Sequence, residues 1–403
     1  MSGFKRTDIE ADENLKMVDD NEEYNLNLFC YTSCDETKEE IVKRCRGLIY
    51  DGDKLVLEAF PYTQNVKDTD TDLKAKLNSI LGDCVCFDSL EGTLIRMFYY
   101  KNRWFMSTNR KLDAYKSKWS SIESFGVLFE KSLKLMYDED AEIREGLDKG
   151  EGETLMSKFQ SLLDNEKHYM FLLQNCRENR IVCDVSKPRI FHCGTFEKGK
   201  LSLDDKVIIP YSKRRHFENM DDVFEFIKTQ DIRNVQGIII FDAKKNEQYK
   251  VENEEYENLS KLRGNEPSVK FRYIQIRMDN NVLSMFSKLY PEYIPKFEEY
   301  ENRIYEICKK IYTAYVTRFI KKEYVQLPKE EFFVLSKAHK WHLENKDTNK
   351  MDLNKIISIF NDEYASNINR MIKRQVMENY SISNGGEMKT KKFSLLQRRV
   401  ITE

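Results

Sequence analysis

Residues 87–98, Phe-Asp-Ser-Leu-Glu-Gly-Thr-Leu-Ile-Arg-Met-Phe, constrain this chain more than any other stretch. Val85 and Phe87 precede a polar elbow, Ser89-Leu90-Glu91-Gly92, and Leu94, Met97 and Phe98 follow it. The pattern predicts a strand, a tight acidic-glycine turn and a second strand, with the elbow projecting from the end of a half-buried hairpin. A polar elbow held between core strands suits a nucleophile or a ligand contact.

At 403 residues there is room for two or three domains around such a site. Charged residues make up 33% of the chain, yet the formal net charge is only -2. No global field therefore draws it onto nucleic acid, and any RNA contact must come from local basic patches. Nine cysteines are scattered without CxxC spacing and no signal-peptide pattern opens the sequence, which favours reduced thiols in a cytoplasm. Cys84 and Cys86 share one face of a strand as core residues rather than as metal ligands. No apolar run approaches the ~18 residues of a membrane span, so no membrane partner is expected.

The rest of the chain reads as α+β. Residues 1–23 are polar with little periodicity and are expected to be a mobile N-terminal arm. Cys45 to Phe60 alternates about Asp51-Gly52, a hairpin signal, and Thr71 to Leu81 has helical spacing behind a Thr or Asp cap. The second elbow strand turns at Lys101-Asn102-Arg103 and returns to Thr108, which completes an antiparallel meander. Helical periodicity runs from Leu112 to Met136 and recurs before Leu163, with an acidic surface segment from Asp138 to Glu153 between them. Strands are expected over Tyr169–Leu173, Ile181–Val185, Arg189–Thr195, Gly237–Phe241, Gln248–Val251 and Phe271–Arg277, with a helix over Asp221–Thr229. This α+β domain occupies 24–280. Amphipathic helices over Tyr300–Lys321, Lys329–Leu343 and Lys355–Lys373 make an all-helical C-terminal domain, 281–376, before a flexible basic tail, 377–403.

The residues at the ends of these elements resemble the RNA ligases of the covalent nucleotidyltransferase superfamily, most nearly the phage RNA ligase type. Cys45-Arg46-Gly47-Leu48-Ile49-Tyr50 looks like the upstream strand whose arginine approaches the nucleotide phosphates. Ser89-Leu90-Glu91-Gly92-Thr93-Leu94-Ile95 matches the KxDGSLI motif, in which the lysine amine attacks the α-phosphate of ATP or GTP. Ser107-Thr108-Asn109-Arg110 is similar to the serine/threonine-rich segment that follows. Tyr169 to Leu173 with Glu178-Asn179-Arg180-Ile181-Val182 resembles the motif whose aromatic stacks on the purine, here Phe171. Val235-Gln236-Gly237-Ile238-Ile239 resembles the strand that supplies a metal-linked carboxylate, and Tyr249-Lys250-Val251-Glu252 the KxK motif that holds the α-phosphate. The resemblance spans Arg44 to Arg277 and implies an antiparallel-sheet, ATP-grasp-like nucleotidyltransferase domain. It also implies an origin in a large DNA virus of the cytoplasm, with the protein in the cytoplasm, a virion or a viral factory.

The departures from the motifs fall on chemistry. Ser89 replaces the nucleophilic lysine, Leu172 a glutamate near ribose or metal, Gln236 the metal-linked glutamate, and Glu252 a phosphate-facing lysine. The reaction needs an amine of depressed pKa, carboxylates for a divalent cation, and cations for the departing pyrophosphate. These degenerate positions imply no catalytic residue and no bound metal, with ATP or GTP and magnesium expected only if the pocket is retained. Three readings follow: a scaffold whose motifs survive as core and turn residues; a pocket that binds a nucleotide, cap or RNA end through Arg46, Glu91, Phe171 and Lys250 without covalent chemistry; or an active transferase using another nucleophile such as Lys101 or Lys111. Lys213, Arg214, Arg215 and Arg263 are candidate RNA contacts, as are Arg272 to Arg277 and the basic tail. The C-terminal helices are a candidate surface for a protein partner. His339 and His342, flanking Trp341, lack a third ligand and read as surface or core residues.

Overall fold

The structure, a computed structural model, describes residues 4–174 and 179–383. It divides into two compact units, 1–261 and 262–403. The boundary thus falls some twenty residues before the one expected at 280, because the chain is already helical there.

The first unit holds three sheets. The first sheet runs in the order β1 (Leu15–Asn21), β2 (Leu26–Tyr31), β3 (Arg46–Asp51), β4 (Lys54–Leu57), all antiparallel, with α1 (Arg6–Ala11) before it and α2 (Glu40–Arg44) between β2 and β3. The expected mobile arm is therefore a helix and a strand: Ile9 and Leu15 are buried, and β1 pairs with β2. Gly52 at φ 56 makes the β3–β4 turn as the sequence indicates.

The elbow does not join a hairpin. β6 (Val85–Ser89) lies between β12 (Arg214–Arg215) and β13 (Gly237–Asp242) in a sheet completed by β14 (Glu247–Glu252) and, parallel to it, β5 (Thr63–Asn65). β7 (Gly92–Tyr100) belongs to a different sheet, between β8 (Arg103–Ser107) and β9 (His168–Gln174), followed by β10 (Ile190–Glu197) and β11 (Lys200–Ser202). Leu90 and Glu91 carry the chain from one sheet to the other. The period-2 pattern on both sides is the same for a hairpin and for such a crossing, so the sequence alone did not separate them.

The two sheets face each other across Phe60, Phe87, Phe98, Met170, Phe196 and Phe241. The outer side of the β6 sheet packs on α3 (Thr71–Ile80) and α7 (Met220–Lys228), and that of the β7 sheet on α4 (Phe125–Glu139), α5 (Ala141–Leu147) and α6 (Leu155–Ser161). Asp70 caps α3, its carboxylate accepting the Leu73 N–H at 3.1 Å. The acidic segment expected at the surface contains α5, which buries Ile143 and Leu147. Residues 181–185 form no strand.

α8 (Glu254–Arg263) leads into the second unit, which is helical. Phe271–Arg277, expected as a strand, lies largely in α9 (Val269–Ile276): Ser268 caps it, accepting the Phe271 N–H at 3.2 Å, and Val269, Tyr273, Ile274 and Ile276 are buried. α10 (Asn280–Leu289), α11 (Ile294–Tyr315), α12 (Lys329–Asn345), α13 (Leu353–Asn361) and α14 (Ala365–Ser383) follow. A π-helical turn, Val316–Ile320, continues α11, and the helix expected over Lys355–Lys373 is broken between α13 and α14. Ile304, Ile307, Ile311, Val334, Phe360 and Met371 are among the residues of its core. The expected tail begins inside α14, and its residues from 384 on lie outside the described residues. No helix among the described residues is long and apolar enough to cross a membrane.

Candidate functional site

The β6 sheet brings Ser89, Gln236 and Glu252 together. Ser89 on β6 and Glu252 on β14 both stand in register with Gly237 on β13, so the three share one face. The Gln236 N–H donates to the Ser89 carbonyl at 3.0 Å. Lys250 donates to Gln236 Oε1 at 2.6 Å and pairs with Glu252 at 2.5 Å. Lys250 is thus held by the side chains of both Gln236 and Glu252. Ser89 is 6% exposed and makes no side-chain hydrogen bond to a histidine among the described residues. Leu172 on β9 is opposite Leu94, and a Cβ at Gly92 would lie 2.8 Å from its Cγ, so Leu172 packs over the elbow from the other sheet.

Glu91 is a clasp. Its side chain is buried, 2% exposed, and accepts the N–H groups of Ile181, Val182 (2.8 Å) and Cys183 (3.0 Å) and the Tyr256 hydroxyl (3.1 Å). These amides would otherwise need a strand ladder, which is the physical reason 181–185 is not a strand. Burial, with Glu91 beside them, pushes the Tyr256 phenol and the Cys183 thiol up. A carboxylate engaged by four donors is not presented to a nucleotide, which corrects the expectation for Glu91. Phe171 is corrected likewise: it is fully buried on the helix-facing side of β9, against Phe129 and Phe159 at ring distances of 5.9 and 5.6 Å and beside His192.

Three arginines converge near Cys30. Arg46 donates to the Pro61 carbonyl and to Thr63 Oγ1, both at 3.1 Å. Gln248 of β14 donates to the same Pro61 carbonyl, which ties Arg46 to the Lys250 strand. Arg96, fully buried on β7, donates to the carbonyls of Gly47 and Thr108, and its Nε has no partner among the described residues. Arg110 donates to the Tyr31 carbonyl at 3.1 Å. Burial pulls Arg96 down to about 9, with Arg46 adding like-charge repulsion, so it stays protonated at neutral pH. Burial raises the Cys30 thiol while Arg110, Arg96 and Arg46 all pull it the other way. No ion pair joins any of the three to an acid among the described residues. Gly47 at φ 93 lets the backbone approach, since a Cβ there would collide with Arg96. The sequence signal for Arg96 is its phase: it alternates with Ile95 and Met97, so it points to the same inner side as Phe98.

The candidate RNA contacts separate. Lys213 and Arg214 are exposed, Arg214 pairing with Asp204 at 2.9 Å. Arg215 is a structural residue: it makes a two-pronged contact to Asp88 (2.8 and 2.9 Å) and lies 4.6 Å from the Phe226 ring centroid. Arg263 is fully buried in the second unit and donates to the Glu266 carbonyl at 2.6 Å, so it is not a surface contact. Lys101 pairs with Asp51 and Lys111 with Asp19, which engages both amines proposed as substitute nucleophiles. A cavity of about 180 Å³ is lined by Tyr62, Lys76, Glu247 and Tyr249 among others, but not by Arg46, Ser89 or Phe171. Among the described residues no three His, Cys, Asp or Glu side chains are placed to hold a metal ion. Glu178 lies outside the described residues.

No family model matches the chain. It is 27% identical over 378 residues to the immediate-early protein ICP-46 homolog of Invertebrate iridescent virus 6, covering 87% of this chain and 81% of that protein. The corresponding homolog of Invertebrate iridescent virus 3 is 28% identical over 356 residues, covering 85% and 75%. These relatives are viral. Among solved structures an archaeal ATP-dependent RNA ligase is similar at 11% identity and a TM-score of 0.36, covering 66% of this chain and 64% of that one, too loose a superposition to bear on the site.

Proposed function

We propose that this is a ligase-like viral protein that has lost lysyl-nucleotide chemistry and binds the phosphates of a nucleotide or RNA end, acting as a binding or assembly subunit in viral RNA metabolism or transcription. The observation that carries the reading is the arginine group. Arg46, Arg96 and Arg110 donate only to neutral oxygens, so their positive charge is uncompensated by any carboxylate among the described residues. Uncompensated guanidinium groups beside a backbone that approaches closely favour a phosphate. Ser89 has no amine to offer, and Lys250 is neutralised by Glu252.

Two measurements on the full chain test this. Incubation with α-labelled ATP or GTP and magnesium or manganese, followed by a denaturing gel, is expected to leave the protein unlabelled; a labelled band overturns the loss of chemistry. Fluorescence anisotropy with a 5′-phosphorylated RNA oligonucleotide is expected to show salt-dependent binding that weakens about tenfold in Arg46→Ala and Arg110→Ala. Binding unaffected by both substitutions removes the arginine group from the reading.

A further inference from the structure

The exposed face of α11 runs between two grooves of the second unit. One, of about 410 Å³, is lined by Glu298, Glu299, Asn302, Glu306 and Gln375 among others. The other, of about 460 Å³, shares Glu298 and Asn302 and has an apolar wall that includes Leu283, Ile294 and Phe297. Glu299 is matched by Lys296 and Arg303, and Glu301 by Arg277. Glu298 has no ion pair among the described residues, and Glu306 has only Lys309, at 3.2 Å on its own helix. A second observation is independent of this acidity. Gln375 of α14 lines the first groove and is 7% exposed, yet its Oε1 has no donor among the described residues. A buried acceptor without a donor is costly to keep, and Gln375 is part of the wall of a groove that also carries Glu298 and Glu306.

The surface therefore suits a ligand that combines N–H donors, positive charge and apolar side chains within a short length. This chain contains such a segment. Residues 389–400, Lys-Thr-Lys-Lys-Phe-Ser-Leu-Leu-Gln-Arg-Arg-Val, set Lys389, Lys391, Lys392, Arg398 and Arg399 around Phe393, Leu395 and Leu396, with no acidic residue among them.

We infer that residues 389–399 dock along α11 of their own chain, with cationic side chains at Glu298, Glu306 and Gln375 Oε1 and apolar ones against the Leu283–Phe297 wall. The reach is sufficient. From Gln375, at the groove, to the end of α14 at Ser383 is about 12 Å along the helix axis. The five residues from 384 to 388, which include Asn384-Gly385-Gly386, span up to about 17 Å, so Lys389 can return to the groove. The consequence is that the basic segment is occupied within the protein and does not act as a free nucleic-acid arm.

Zero-length carbodiimide cross-linking of the full chain, followed by mass spectrometry, tests the inference. Links from Lys389, Lys391 or Lys392 to Glu298 or Glu306 are expected, and in a mixture of ¹⁴N- and ¹⁵N-labelled protein they are expected within one chain. Links only between chains overturn docking in cis, and links only to other acids overturn the site. Glu298 and Glu306 are both exposed, so the Glu298→Lys, Glu306→Lys double variant keeps the fold, which circular dichroism checks. In that variant tryptic cleavage after Lys389 to Lys392 is expected to accelerate about fivefold or more. Equal cleavage rates in the two proteins also overturn the proposal.

Discussion

Glu91→Gln distinguishes a structural clasp from a ligand-binding carboxylate. In the native protein two carboxylate oxygens accept four donors, one from Ile181 and three from Val182, Cys183 and Tyr256. The glutamine keeps one oxygen. If that oxygen stays toward the three donors, the new NH₂ group faces the Ile181 N–H, so one bond becomes a donor–donor contact and three lose a charged acceptor. A hydrogen bond to a charged group contributes about 1.5–3 kcal/mol, so the expected loss is about 3 kcal/mol. Glu91→Ala leaves all four donors unmatched in a buried place and is expected to cost about 5 kcal/mol or more. Trp104 and Trp119 lie in the first unit and Trp341 in the second, so urea unfolding followed by tryptophan fluorescence in a Trp341→Phe background reports the first unit alone. The reasoning fails if Glu91→Gln unfolds within about 0.5 kcal/mol of its parent, because a surface-like response means the four donors do not depend on the charge.

Other perturbations follow from the same geometry. Tyr256→Phe removes one of the four donors and is expected to destabilise by about 1 kcal/mol in the same assay, while leaving the other three in place. Gly47→Ala forces an L side chain into φ 93 and against Arg96, so it is expected to lower stability by about 2 kcal/mol or more and to weaken RNA binding with it. Arg215→Ala leaves the buried Asp88 carboxylate without its partner and is expected to cost about 2–3 kcal/mol, whereas Arg214→Ala at the surface costs under about 0.5 kcal/mol. Burial pulls His168 and His192 down to about 4 from an ordinary value near 6.5. The unfolded chain then takes the proton first, so stability is complete above about pH 6.5 and falls toward pH 4 by up to about 1.4 kcal/mol per pH unit for each histidine. Replacing both with glutamine is expected to flatten that slope in urea titrations at pH 4.5 to 7; an unchanged slope assigns the acid sensitivity elsewhere.

Local signals in the sequence carried well where one periodicity had no rival. The Asp51-Gly52 turn, the Asp70 cap of α3, the strands β9, β13 and β14 and the amphipathic run of α12 form where expected. Partner choice was not legible. Ser89 and Gly92 read as two sides of one hairpin, yet their strands belong to different sheets, because a period of two says which face a residue takes and not which strand it meets. Ile181 to Val185 has strand composition, but a single carboxylate supplies the acceptors that a ladder would have given. Phe271 to Ile276 mixes β-branched and aromatic residues, and the Ser268 cap with burial inside a helical unit outweighs that propensity. At the site, the resemblance grouped Ser89, Leu172, Gln236 and Glu252 as altered motif positions; the β6 sheet joins Ser89, Gln236 and Glu252 with Lys250 beside them, while Leu172 stands on β9 of the other sheet. The resemblance could not show that Phe171 points the other way, or that Arg96 lies inside.

The register of Ser89, Gly237 and Glu252 also bears on how this chain can change. Gly237 leaves a gap between its two neighbours, whose Cα atoms are about 10 Å apart across two strand spacings. A lysine placed at position 89 would extend its amine over that gap to the Glu252 carboxylate. An amine paired with a carboxylate is held protonated and is a poor nucleophile. Ser89→Lys alone is therefore expected to place a second ammonium on the Glu252 carboxylate that already holds Lys250. The acid on β14 thus acts as a sink for any amine introduced at the elbow, and only a change at Glu252 as well would leave such an amine free.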